Sequence, residues 1–345
     1  MPTSNPTLVI KDLITHLNNN NIETNANNTH SFLSFINYAL LKPYIAITKT
    51  STSTVDIQQI VKHYDFDRKL KLLLWDGLER IEVACRSMLS LTMCEETSNE
   101  QWMFDTSNYT SYSEPYKVLL NYFGRQNIKS YLNKNNITII PEWKKLMDIC
   151  KDIIFNNFNA LTYGNLKSHN FFDQPIEILL KKDLKSAHID VQDYVNKGAN
   201  LKDKNLIVGY MFSKLDVPFY IIMNKLDFGK TNTIINNLKP LYREKIANRF
   251  SISLTEIDLA KHIEHFRSIR NKIAHHEPLC NAKLDEIDNF ANFSKFKSSS
   301  INSYKDLIIF YLDMIAPRNT LNDKINNLIQ QYKDKYKINF SAWGF

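Results

Sequence analysis

The sequence predicts an all-α protein, and three observations support this. Glycine and proline are scarce, at 7 and 10 of 345 residues, so few positions interrupt a helix. Apolar residues recur at intervals of three and four along most segments, which is the helical period. Hydrophobic residues make up 43% of the chain, which is enough for a sizeable core. We therefore expect helices packed in layers, in one large domain or two ordinary ones.

The N-terminal part is predicted to hold short helices separated by polar loops. Helical spacing predicts a helix over residues 7–17, with Asn5 and Pro6 at its start. A second apolar segment covers residues 31–42, and another helix is expected to begin near Val55.

The longest predicted helix covers residues 67–93. Gly77 lies on its apolar side, where the missing side chain permits the close approach of another helix. Glu82 and Arg86 lie on the opposite side, and the simplest interpretation is an ion pair on a solvated face. The alternative is that this side faces Arg270 and orients it.

Shorter helices are predicted for the rest of the chain. Residues 95–112 are polar and irregular, and Asp227-Phe228-Gly229 marks the end of one helix and the start of the next. Two short helices separated by Pro240 then follow. The other predicted helices cover residues 115–134, 142–159, 172–186, 204–224, 301–315 and 319–336.

The helix predicted over residues 253–275 carries the most informative stretch of the chain. Ser253 and Glu256 fit a capping box at its start, and Pro278 stops it. Its last residues read Arg-Asn-Lys-Ile-Ala-His at 270–275, followed by His-Glu-Pro. A guanidinium and two imidazoles are therefore expected near one helix end.

Arg270 projects between Leu259 and Ile263, inside the apolar side of this helix. A guanidinium in that position needs an anion. A carboxylate of a neighbouring helix would make a structural ion pair, whereas an RNA phosphate in a cleft would make a functional site; spacing does not choose between them. Arginine can hold a phosphate by two parallel hydrogen bonds, and His275 can move a proton near neutral pH.

The two histidines at the helix end also allow a structural or a metal-binding interpretation. Histidines at a helix C-terminus are commonly surface residues stabilised by the helix dipole. Adjacent residues rarely bind one ion, and no third ligand is placed by the sequence, so we expect neither a metal nor a cofactor. The four cysteines form no CxxC pair and are expected to be reduced thiols in a cytoplasm: Cys85, Cys94, Cys150 and Cys280.

Charge and hydropathy narrow the partners. The net charge of +7 mildly favours an anionic partner such as nucleic acid, although many basic proteins bind none. Residues 1–6 lack a basic region followed by an apolar core, and no run of about 18 apolar residues occurs. We therefore expect a cytoplasmic protein without a signal peptide or a membrane span.

Three stretches together resemble AbiD/AbiF-type abortive-infection proteins of bacteria. They are residues 64–86, residues 218–229 and the pattern Arg-Asn-x-x-Ala-His-His-Glu at 270–277. The resemblance spans about residues 30–285, with no matched motif in residues 95–205. This family is considered part of the HEPN group of helical nucleases, which are marked by Arg, four to six residues, and His.

The resemblance implies a fold and a division of the chain. The fold would be a HEPN-like helical bundle with additional N- and C-terminal helices. Its parts would be an N-terminal helical region (residues 1–62), a core that carries the Arg-His motif (63–295) and a C-terminal helical cap (296–345), or all three in one continuous domain.

The resemblance also implies metal-independent RNA cleavage, in which a 2′-OH attacks the adjacent phosphate and a 2′,3′-cyclic phosphate results. DNA lacks this hydroxyl and should not be cut. His275 would transfer the proton, Arg270 would hold the developing charge, Asn271 would fix the helix end, and His276 would be secondary. The expected supporting and RNA-contacting residues are Glu82, Arg86, Lys272 and Arg267.

The implied partners are RNA and a second copy of the chain. One chain supplies one Arg-His set, and HEPN nucleases usually pair two, so a homodimer with this helix end at its seam is expected. Such a toxin would be restrained by a structured RNA that occupies the cleft, or its site would stay misassembled until a trigger appears; the sequence does not choose between these routes, although the basic charge and the family favour RNA. Two alternatives remain open: a non-catalytic RNA-binding protein, and a helical interaction protein whose Arg-His pair is structural.

Overall fold

The computed structural model describes residues 10–24, 29–49, 54–100, 102–111, 114–115, 118, 219–223, 226–251, 254–287 and 300–345. In these residues the protein is all-α, as predicted. None of the described helices is long and apolar enough to cross a membrane. The helices predicted over residues 115–134, 142–159, 172–186 and most of 204–224 lie outside the described residues, as does Cys150.

Helices account for almost all of the regular structure in this part of the chain. The first four are α1 (Ile10–Asn19), α2 (Thr29–Phe35), α3 (Tyr38–Thr48) and α4 (Ile57–Thr97). The later ones are α5 (Phe219–Met223), α6 (Phe228–Asn237), α7 (Pro240–Phe250), α8 (Glu256–Ala274), α9 (Ile301–Ile315) and α10 (Leu321–Tyr336). Two short strands, β1 (Ile22–Glu23) and β2 (Val55–Asp56), pair in parallel.

Two helices of the N-terminal part differ from the prediction. The segment predicted over residues 31–42 is divided between α2 and α3, because Asn37 caps α3 and its side chain accepts a hydrogen bond from the Ala39 N–H at 2.9 Å. The helix predicted to begin near Val55 and the one predicted over residues 67–93 form a single helix, α4, which begins at Ile57 and continues without a break to Thr97.

The start of α8 also differs. Thr255 is the cap: its hydroxyl accepts from the Asp258 N–H at 3.1 Å, and the Asp258 carboxylate accepts from the Thr255 N–H at 3.2 Å. Ser253, to which Glu256 was predicted to reach back, lies outside the described residues, and Glu256 pairs with Arg243 at 3.3 Å. The capping box therefore forms two residues later, because the aspartate at the third helical position closes the same reciprocal pair of bonds.

The described chain divides into two compact units. The first combines residues 1–84 with 261–345, and the second comprises residues 85–260. Helices α4 and α8 each contribute residues to both units.

In the first unit, the buried side of α4 packs against the C-terminal helices. Gly77 lies on this side, where an added Cβ would be 2.8 Å from the Ile308 side chain of α9 and 2.9 Å from Leu321. Any larger residue would overlap these side chains, so the close approach that the sequence predicted at this glycine is present. The buried apolar residues of α4 in this unit include Phe66, Leu70, Leu74, Leu78 and Ile81.

The C-terminal residues complete the same core with aromatic rings. Phe340 and Trp343 pack on Phe66, with ring centroids 4.7 and 5.1 Å from it. The His63 ring lies parallel to the Trp343 indole at 5.3 Å. The chain end is thus held against the helix that carries the candidate site described below.

The second unit has its own buried aromatic centre. Trp102 is fully buried, and its ring lies 4.6 Å from that of Phe219 at the start of α5. An ion pair between Lys245 and Glu96 joins α7 to the last turns of α4.

Candidate functional site

Helix α8 ends in a Schellman motif formed by the residues of the predicted motif. The His276 N–H donates to the Ile273 carbonyl at 3.1 Å, and the Glu277 N–H donates to the Lys272 carbonyl at 2.9 Å. His276 has a φ of 57°, the left-handed conformation that this motif requires. The imidazole of His276 therefore leaves the helix in a direction that a helical residue could not adopt.

Arg270 lies one turn before this end, and its guanidinium is 5.4 Å from the centre of the Trp75 ring on α4. This is a cation–π contact, which holds a guanidinium while leaving its N–H donors available. Arg270 is partly exposed, and no described carboxylate forms an ion pair with it. The sequence left open whether a carboxylate pairs with Arg270, and no such carboxylate is found among the described residues.

A cavity of about 580 Å³ lies beside this contact, between α4 and the end of α8. Trp75, whose ring contacts the Arg270 guanidinium, also lines this cavity, and so does His276. The remaining described lining residues are Leu40, Tyr64, Asp67, Arg68, Lys71, Leu72, Ile273 and Ala274. Residues from two of the three motif stretches thus meet at one place.

The buried carboxylate of Asp67 anchors the wall of the cavity. It is 1% exposed and accepts hydrogen bonds from the Tyr44 hydroxyl at 2.7 Å and the Leu279 N–H at 3.0 Å. Lys71 pairs with it at 2.6 Å. Burial and the charge of Asp67 raise the pKa of Tyr44, so its hydroxyl remains a donor. This network binds the segment that follows the motif to α4.

Cys280 and Lys71 lie next to the Asp67 carboxylate. Burial, together with the charge of Asp67, raises the pKa of Cys280 to about 12, so this thiol stays protonated at neutral pH. The Lys71 ammonium also donates to the His276 carbonyl at 3.4 Å, a long bond that ties the helix end to α4. The network therefore positions the site rather than supplying a nucleophile.

The two histidines of the motif occupy different environments. His276 lines the cavity, whereas His275 is exposed at the helix end and is not among the described lining residues. The His275 N–H donates to the Asn271 carbonyl at 2.9 Å, so the backbone of Asn271 holds the last helical turn. The role predicted for the Asn271 side chain stays a prediction.

The residues predicted to contact RNA form ion pairs on the surface. Lys272 pairs with Glu277 at 3.0 Å. Arg267, an exposed residue, pairs with Glu264 through a bond of 3.0 Å from its Nε and a second bond from its terminal nitrogen. Solvent-exposed pairs of this kind exchange readily, so they leave an RNA contact open.

The predicted supporting residues lie elsewhere on α4. Arg86 donates to the Leu226 carbonyl at 2.9 Å, which joins α4 to the segment before α6 inside the second unit. Glu82 is partly exposed and is not one of the described residues that line the cavity.

Trp75 and Asp67 were not predicted as site residues. A usable signal exists: Asp67, Lys71 and Trp75 recur every four residues and so share one side of α4, next to the apolar side. Within the described residues, no three histidine, cysteine or acidic side chains converge as metal ligands.

The comparison with protein families identifies the group to which the chain belongs. The family described as Abi-like protein matches residues 31–281, most of the chain. The chain therefore belongs to the Abi-like family, which confirms the resemblance to AbiD/AbiF-type proteins. This membership supports a general role in abortive infection, that is, in phage defence. No curated protein and no solved structure matches the chain significantly.

Proposed function

We propose that this protein is a metal-independent endoribonuclease toxin that acts in abortive infection or in a toxin–antitoxin pair. One observation carries the proposal: the Arg270 guanidinium rests on Trp75 without a described carboxylate partner, beside a cavity lined by His276. A partly buried cation without an anion favours an anionic ligand. An RNA phosphate is the anion that fits both the basic chain and its family.

The chemistry follows from the two kinds of side chain. A neutral imidazole removes the proton from a ribose 2′-OH, and the oxygen attacks the neighbouring phosphorus while the bond to the 5′-oxygen breaks. A protonated group gives its proton to the departing 5′-oxygen. The Arg270 guanidinium holds the negative charge that builds up on the phosphoryl oxygens. The products are a 2′,3′-cyclic phosphate and a 5′-OH.

Which histidine transfers the proton is the finer part of the proposal. His275 has the spacing that the family favours, and it is exposed. His276 lines the cavity, and its left-handed backbone turns it away from the helix. We assign proton transfer to His275 and contact with the substrate to His276, and single variants test this order.

A homodimer is part of the proposal because one chain offers one Arg-His set. The exposed His275 at the end of α8 is accessible to a second copy. Two such ends would bring a base and an acid to one phosphate. Sedimentation at micromolar concentration tests this, and a monomer that cleaves RNA at full rate contradicts it.

The proposal also includes restraint of the toxin by a bound RNA. The net charge of +7 favours a bound polyanion, which would occupy the cleft of a resting toxin. Purification from a native host should give protein with a raised ratio of absorbance at 260 to 280 nm and with RNA that can be sequenced. Protein that is free of nucleic acid contradicts this route.

The decisive experiment incubates the purified protein with end-labelled RNA in EDTA. We expect cleavage products with 2′,3′-cyclic phosphate ends, and no cleavage where the reacting nucleotide carries a 2′-deoxy sugar. Arg270→Ala should lower the rate by about a hundredfold or more. The matched control is Arg80→Ala, which removes an exposed arginine of α4 that pairs with Asp76. RNA that is bound and never cut would establish the alternative, a non-catalytic RNA-binding protein.

A further inference from the structure

We propose that the cavity beside Arg270 binds one nucleobase of the RNA, the base of a nucleotide that flanks the phosphate held by Arg270. This inference rests on the proposed ribonuclease function and adds where the base of the substrate is bound.

The lining of the cavity matches a flat aromatic ring. Trp75 and Tyr64 supply aromatic surfaces, and Leu72 and Ile273 supply apolar walls. Leu72 is 64% exposed, so its side chain is accessible to a ligand. The volume of about 580 Å³ is in the range of small-molecule sites. Every base can stack on an aromatic side chain, so stacking does not depend on the nucleotide sequence.

The charges around the cavity add a requirement for an anion. Arg68, exposed at its edge, and Arg270 form no ion pair with the described carboxylates. Asp67 is already neutralised by Lys71. A purely apolar ligand would leave both guanidiniums unpaired, and inorganic phosphate would leave the apolar wall in contact with water. A nucleotide satisfies both, because it joins an aromatic ring to a phosphate.

Trp75 belongs to both the proposed base site and the proposed phosphate site. It lines the cavity and carries the Arg270 guanidinium 5.4 Å from its ring centre. A base in the cavity therefore lies next to the phosphate that Arg270 holds, within one nucleotide. His276 lines the same cavity, so the bound base also fixes the ribose near an imidazole.

The test uses oligonucleotides in which a single ribonucleotide defines the cleavage position. The nucleotides on either side carry a base or are abasic. We expect removal of the base on one side to lower kcat/KM by about tenfold to a hundredfold, the effect of one stacked base. Removal on the other side should change it less than about threefold. In Tyr64→Leu the larger penalty should shrink, because half of the aromatic surface is gone. Equal cleavage of all substrates overturns the cavity assignment and leaves the ribonuclease intact.

A second measurement does not depend on cleavage. Adenosine 3′-monophosphate should quench the tryptophan fluorescence of the intact protein, whereas inorganic phosphate at equal concentration should not. The quench should disappear in Trp75→Phe, whose folding is checked by circular dichroism. Among the described tryptophans, Trp102 and Trp343 are fully buried, so they contribute little to a ligand-dependent change. A nucleotide-dependent quench in a protein that cuts no RNA supports the cavity and overturns the ribonuclease. RNA cleavage that lacks either the quench or the abasic penalty overturns the cavity assignment and leaves the ribonuclease intact.

Discussion

Two pairs of histidines lie in and just after helix α8, and their surroundings differ. His262 and His265 are 2% and 8% exposed, and each ring bonds a buried tyrosine of α9. His275 and His276 lie at the exposed end of the same helix, where the described structure gives their rings no such partner. The residue type is the same, so burial and hydrogen-bond partners separate a structural histidine from a candidate catalytic one.

The buried pair shows what a satisfied histidine looks like. The Tyr304 hydroxyl donates to the Asp285 carbonyl at 3.1 Å, so its oxygen accepts from the Nδ1–H of His265, also at 3.1 Å. This fixes the tautomer of His265. His262 Nδ1 lies 2.9 Å from the Tyr311 hydroxyl. These rings are positioned by hydrogen bonds and burial, and they hold α8 to α9.

The largest expected effect is a loss of RNA cleavage when a histidine of the exposed pair is replaced. His275→Ala should lower RNA cleavage by about a hundredfold or more, since general acid–base groups contribute factors of that size. His276→Ala should raise KM more than it lowers kcat. Cleavage kinetics and urea unfolding measure both, and the unfolding midpoint should not move. The matched control is His16→Ala, which removes an exposed histidine that bonds Tyr38. Full activity in both helix-end variants would contradict the distinction between the pairs.

A third kind of histidine gives a pH dependence of stability. Burial lowers the pKa of His63 to about 4, from 6.5 in the unfolded chain, and its Nδ1 has no hydrogen-bond partner among the described residues. The unfolded state therefore binds the proton first as the pH falls. The contribution of His63 to stability is complete above about pH 6.5 and is lost as the pH drops toward 4.

His63→Phe isolates this effect, because phenylalanine keeps the ring on Trp343 and cannot titrate. Between pH 7 and 4 the wild-type protein should lose about 3 kcal/mol more unfolding free energy than the variant. Urea unfolding at several pH values measures the difference. Parallel curves for the two proteins would show that His63 is not held neutral by burial.

Removing a buried ring should cost stability rather than chemistry. His262→Ala leaves a cavity and removes the hydrogen bond to the Tyr311 hydroxyl, so we expect a loss of about 2 kcal/mol in unfolding free energy. At low temperature, where the variant is folded, its cleavage rate should equal that of the wild type. A loss of activity without a loss of stability would place His262 with the catalytic pair.

The smallest effect concerns a single hydrogen bond. Tyr311→Phe should lower the unfolding free energy by about 1 kcal/mol, since it removes only the hydroxyl that meets His262. Combined with His262→Ala it should cost less than the sum of the two changes, because both remove the same bond. Additive losses would show that the bond contributes nothing.

Helix positions were predictable wherever periodicity and capping residues act locally. Helix α9 covers residues 301–315 as predicted, and Pro240 separates α6 from α7 as predicted. The parallel pair of Ile22 and Val55 was not foreseen. Strand pairing between distant residues leaves little trace in so short a segment, because two residues cannot show an alternation.

The candidate site was predictable only in part. The sequence singled out Arg270 and the two histidines through their spacing and their resemblance to a family. It did not reveal that the Trp75 ring contacts the guanidinium. It also did not reveal that the Asp67 carboxylate pairs with Lys71 and accepts hydrogen bonds from the Tyr44 hydroxyl and the Leu279 N–H. It also ranked His275 above His276, whereas the structure places His276 in the cavity lining.

The sequence by itself determined the all-α class, some of the described helix ends and the family, because each depends on local periodicity, capping residues and short motifs. Tertiary structure alone decided which of the four histidines in and just after α8 are buried, and what meets the guanidinium of Arg270. The physical reason is that burial and hydrogen bonding depend on side chains that are distant in the chain. Asp67 and Leu279 become neighbours only when α4 and the end of α8 pack together.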